Sequence, residues 1–229
     1  MFNNINPRSV TFNLIMVNVL LFFVTYLHPQ LMQILSLHYL FNTHQYYEGS
    51  GFQPFQILSH MFMHGGFFHI LFNMWGLFMF GSILESVWGP KRFLTFYLIT
   101  GFGAVLLHMA VQAFIIHNAT GSFDPSLQML SEHKEAARTY FSETLGASGA
   151  IFGIATAFAM LFPNTELMII PIPIPIKAKY LMPLYILFEL YLGISQHQGD
   201  DVAHFAHLGG ALFGFILVKI WGRNRNTLY

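Results

Sequence analysis

Ser148 stands in ETLGASGAIFG, residues 143–153, among three glycines and two alanines. A serine hydroxyl becomes a nucleophile only when a base takes its proton. Two histidines three residues apart, His204 and His207, open the apolar run VAHFAHLGGALFG at 202–214. On spacing alone either could be that base. The chemistry implied is acyl transfer, which also needs donors for a developing oxyanion. A Ser148 N–H at a helix start is one, since no intrahelical carbonyl reaches it and the helix dipole favours an anion there. In HGGFFHILFN, residues 64–73, His69 and Asn73 stand i,i+4 on one helical face, and both can donate.

These groups meet only if their helices approach closely. Small residues four apart allow that. Gly149 and Gly153 lie just after the serine, and Gly210 and Gly214 just after the second histidine. Gly146 lets the loop bend into the helix.

The elements that carry these residues are apolar. Hydrophobic residues make up 55% of the 229-residue chain and charged residues 9%, with mean hydropathy +0.53. A soluble domain is about 25% charged. Several stretches approach the roughly 20 residues that cross a hydrocarbon core as a helix. The expectation is an all-α membrane protein, one bundle over residues 1–229, with spans at about 10–27, 61–83, 92–117, 147–162, 179–195 and 203–221. Turn residues at WGPKR, LFPN, PIPIPIK and QGDD separate them. No cysteine is present, which excludes thiolate catalysis and disulfides. Zero net charge and the lack of a basic run argue against nucleic acid. There is no H-E-x-x-H; neither a metal nor another cofactor is expected, although twelve histidines prompt the question.

With the N-terminus in the cytoplasm, Arg8, Lys91, Arg92, Lys177, Lys179, Lys219, Arg223 and Arg225 fall inside, and only Lys134 and Arg138 fall outside. That bias places both termini in the cytoplasm. The run after Arg8 is long and lacks a small-residue cleavage site, so it reads as an uncleaved first span. The fourth span, roughly 16 residues or about 24 Å, is short. Its start, Ser148, is then submerged beneath the outer surface in a wet cavity. A fixed carboxylate in that cavity would add a charge costing about 2.5–3.5 kcal/mol on insertion scales. A Ser–His pair without a carboxylate is the expectation. The segment 118–142 contains SEHKEAAR, which reads as a short surface helix.

Taken together, these motifs resemble those of the rhomboid intramembrane serine proteases. G-x-S-G appears as Gly146-Ala147-Ser148-Gly149, H-x-x-x-N as His69 to Asn73, and A-H-x-x-G-x-x-x-G as Ala206-His207 with Gly210 and Gly214. The resemblance implies a minimal six-helix core, with Ser148 the nucleophile and His207, rather than His204, the base. It implies that His69 and Asn73 line the oxyanion pocket and that Phe152 sits against the catalytic imidazole. It gives Glu85 a role in structural hydrogen bonding and matches His64 to a position near the top of the second span. Some members carry a Trp-Arg pair where this chain has Phe55-Gln56.

The implied activity is hydrolysis of transmembrane segments of single-pass membrane proteins, entered sideways from the lipid bilayer. A small residue would precede the cut and helix-breaking residues follow it. The fifth span, with Pro183 and Glu189, is a candidate gate. A bacterial plasma membrane is the expected location. The rival within the family is a silent, client-binding relative; such relatives usually lack the serine or the histidine.

Overall fold

The computed structural model describes residues 9–42, 51–169, 172–195 and 203–223. Arg8, Glu48, Asp200, Asp201 and Arg225, and the whole QGDD turn, lie outside the described residues.

Helix α1 runs Val10–Leu27. Ser9 caps it, its Oγ accepting from the Phe12 N–H at 3.3 Å. Helix α2, Pro29–Leu35, starts on a proline, whose missing N–H costs nothing in a first turn. A short helix, α3, Gln56–Ser59, and a 3₁₀ turn, His60–Phe62, lead to the next long element. That element is continuous over Phe67–Trp88: α4, Phe67–Gly76, then a π-helical turn, Leu77–Gly81, then α5, Ser82–Trp88. Gly89 at φ 78° breaks it, and Pro90 begins α6, Pro90–Thr120, which ends on Gly121 in the left-handed region. Next come α7, Leu127–Glu132, and α8, Lys134–Tyr140. Helix α9 is Ser148–Leu161, α10 is Ala178–Ser195 and α11 is His204–Arg223.

Among the described residues, four helices are long and apolar enough to cross a membrane: Val10–Leu27, Phe67–Trp88, Pro90–Thr120 and His204–Gly222. With their outward Leu20, Phe23, Phe72, Leu106 and Ile216, they define a membrane protein. Helix α9 is apolar but has only 14 residues, ten of them buried. It is the central helix, packed by α6, α11, α10, α4 and the π turn. Helix α10 holds Pro183 inside it and a buried acid, Glu189.

Two connections differ from expectation. The PIPIPIK tract forms a strand, β2, Ile172–Lys177, antiparallel to β1, Glu166–Ile169. Each strand of a two-stranded sheet is an edge, where prolines are tolerated. The fold is therefore helical with one small hairpin. The segment 118–142 forms two short helices, with His133 between them. These brace the first loop: Tyr39 packs with Ile116, Leu130, Ala136 and Tyr140, and its hydroxyl donates to the Phe123 carbonyl at 3.1 Å. In that loop Gln56 accepts from the Gln53 N–H at 3.0 Å and donates to the Ile34 carbonyl at 3.0 Å.

Glu85 joins α5 to the start of α1. Its carboxylate accepts from Ser9 Oγ at 2.8 Å, the Val10 N–H at 2.7 Å and the Thr11 N–H at 2.8 Å. A carboxylate at a helix N-terminus satisfies orphan donors and meets the positive end of the dipole.

Candidate active site

The loop before Ser148 is held from two sides. Leu37 and Thr144 exchange backbone hydrogen bonds of 2.8 and 2.9 Å, and the Gly146 N–H donates to the His60 carbonyl at 2.9 Å. Gly146 then turns at φ 122°, which only glycine adopts readily. Ala147 caps α9 and Ser148 is its first helical residue, so its N–H belongs to the set that intrahelical carbonyls leave unpaired.

Helix α11 lies directly on α9. A Cβ on Gly210 would overlap the Gly149 carbonyl, and one on Gly214 would lie 2.7 Å from the Gly153 oxygen. The two small-residue pairs thus interlock backbone to backbone. That contact delivers His207 to the serine: Ser148 Oγ is 2.8 Å from His207 Nε2. Phe152, one turn along α9, stacks on the imidazole with centroids 4.3 Å apart and planes within 6°. Tyr185 of α10 also packs on Phe152, with ring centroids 5.1 Å apart.

On α4, His69 lies over Gly146: a Cβ there would stand 2.7 Å from His69 Nε2. The Gly65 N–H lies 3.4 Å from His69 Nδ1, and Nε2 is the nitrogen that faces the site. Asn73 is buried one turn further along α4. His64 is also buried, its ring edge-on to His69 at 5.1 Å. A cavity of about 20 Å³ adjoins Ser148, lined by His60, Thr144, Gly146, Gly149 and Ala206 among others. That is room for about one water.

One expectation is corrected here. A carboxylate does orient the imidazole. Glu189 Oε2 accepts from His207 Nδ1 at 2.9 Å and from His204 Nδ1 at 2.7 Å. The insertion cost weighed in the sequence was that of a lone charge. Glu189 is only 4% exposed, but one of its oxygens receives two imidazole N–H donors. Such charge-assisted bonds offset the loss of water. The signal was present: Glu189 is the one acid in residues 178–195, and His204 stands three before His207. His108, whose Nε2 is 2.8 Å from Thr144 Oγ1, is a second polar contact that sequence reasoning did not find. Glu189, His204 and His207 also bring three potential metal-ligand atoms within 4.8 Å of one another.

A nucleophile beside a base, with that base held by a third group, has the geometry of a serine hydrolase. The family profile Rhomboid domain matches residues 51–224, and the chain belongs to that family. It is similar to "Rhomboid protease AarA" of Providencia stuartii, 31% identical over 161 residues, covering 69% of this chain and 52% of the relative. It is 27% identical over 161 residues to "Rhomboid protein 1, mitochondrial" of Saccharomyces cerevisiae, covering 70% of this chain and 40% of that protein. It is 30% identical over 178 residues to the mitochondrial "Presenilin-associated rhomboid-like protein" of Mus musculus, covering 75% of this chain and 40% of the relative. The chain therefore spans about half of the first of these and two fifths of the others.

Proposed function

We propose that this protein is an intramembrane serine endopeptidase that cleaves transmembrane segments of single-pass proteins near the outer face. The observation that carries the reading is the 2.8 Å contact between Ser148 Oγ and His207 Nε2, made between two helices whose glycines interlock. In this reading α1, Phe67–Trp88, α6, α9, α10 and α11 are six spans of one domain. Both termini face the cytoplasm, and the start of α9 lies below the outer surface. The membrane in this reading is a bacterial plasma membrane, as for a chain similar to the Providencia stuartii protein; the yeast and mouse relatives are named as mitochondrial.

A substrate helix enters from the bilayer and unwinds at its top, because a helical backbone shields its carbonyls. His207 takes the Ser148 proton as Oγ attacks the peptide carbonyl. The Ser148 N–H, His69 and Asn73 receive the oxyanion; one such donor is worth about 2.7–4 kcal/mol in the transition state. His207 returns the proton to the leaving amine. Water from the adjoining cavity then hydrolyses the acyl-enzyme, with His207 again the base.

The test is incubation of purified protein with a panel of single-span substrates, read by gel and mass spectrometry beside Ser148→Ala. Cleavage by the wild type and none by the variant is the expected result. Equal cleavage by both, or labelling of neither by a fluorophosphonate, refutes it.

A further inference from the structure

A pair of histidines sharing one buried carboxylate oxygen is more than the proposed reaction strictly requires. Glu189 lies on α10, His204 and His207 on α11, and Ser148 on α9. A carboxylate can only accept from imidazole, so each Nδ1 at 2.7 and 2.9 Å must carry the proton. In neutral His207 that leaves Nε2 without one. It is then the acceptor facing Ser148 Oγ at 2.8 Å, the form a general base needs.

Resting on the protease reading above, we propose that Glu189 is a positioning residue. It holds His207 in the Nδ1–H tautomer and stabilises the imidazolium formed when Ser148 gives up its proton. The proton moves from Ser148 Oγ to His207 Nε2 and on to the leaving amine; Glu189 stays ionised throughout. His204 supplies the second donor that keeps the carboxylate charged in an apolar bundle. Phe152 limits rotation of the ring from its face, and Glu189 fixes it from its edge.

A bound metal is the competing use of the same three atoms. Two ligands about 2.0–2.1 Å from a tetrahedral zinc stand about 3.3 Å apart. The carboxylate oxygen is closer than that to both nitrogens, at hydrogen-bond separations.

Two measurements test the proposal. The first needs no activity. In protein selectively ¹⁵N-labelled at histidine, His207 is expected as the Nδ1–H tautomer in wild type. In Glu189→Gln it shifts toward Nε2–H, because an amide can donate to Nδ1. Wild-type His207 protonated at Nε2 overturns the proposal whether or not any variant folds.

The second is kinetic, with Ser148→Ala as the blank. Glu189→Gln is expected to lose roughly 10²–10⁴-fold in kcat with KM little changed. Glu189→Asp, which keeps the charge, retains more activity than the amide. His204→Gln loses less than Glu189→Gln. A Glu189→Gln enzyme as fast as wild type, or wild type silenced by EDTA and restored by zinc, defeats the positioning role. Cleavage surviving in Ser148→Ala instead defeats the serine mechanism, and the labelling experiment still judges Glu189.

Discussion

Gly210 of α11 lies so close to Gly149 of α9 that a Cβ at Gly210 would fall on the Gly149 carbonyl. The distance between nucleophile and base is set there, by backbone against backbone, rather than by the two reactive side chains. Gly210→Ala should force the helices apart. Overpacking of this kind costs about 1–3 kcal/mol. A lowered melting temperature together with lost cleavage is expected; an unchanged melt and full activity would show that the contact is not tight.

Ser148→Ala should abolish cleavage and fluorophosphonate labelling while leaving the melting temperature near that of wild type. Loss of the serine from a unit that acts together can cost up to about 10⁶-fold in kcat. Among the described residues, the side-chain hydrogen bond removed from the folded state is the one to His207.

His69→Ala should reduce kcat by about 10²–10³-fold, the usual loss for one oxyanion donor. Ser148 would still face His207, so labelling by a small fluorophosphonate should slow rather than vanish. Gly146→Ala should mimic it in part, since the added methyl would press on His69 Nε2 and oppose the turn at φ 122°. Steady-state kinetics on one purified substrate will separate these outcomes from a simple loss of fold.

Glu85→Gln should weaken the link between α5 and the start of α1, where three donors converge on one carboxylate. Hydrogen bonds to charged groups contribute about 1.5–3 kcal/mol, and the amide keeps one acceptor oxygen. The expected result is a lower melting temperature with kcat near wild type at temperatures where the protein is folded. A selective loss of kcat would move Glu85 from structure to mechanism.

Much of this arrangement was legible because it rests on short-range rules. Small residues at spacings of four marked α9 and α11 as partners, and a serine at the loop-to-helix boundary marked the start of α9. What escaped was relational. The cost of burying Glu189 depends on two histidines on another helix, and no count along α10 shows them. The hairpin at 166–177 was hidden by its prolines, which argue against a central strand but not against an edge. The two helices of 118–142 took their purpose from Tyr39, some ninety to a hundred residues earlier.

The interlocked glycines make α9 and α11 behave as one solid piece, so the serine and its base travel together. Glu189 rides on a neighbouring helix, one that carries Pro183 within it and packs on that piece through Tyr185 and Phe152. On the proposed mechanism, a hydrophobic wedge driven between Tyr185 and Phe152 would thus draw Glu189 from His207 without touching Ser148, an inhibitory route that needs no reactive warhead.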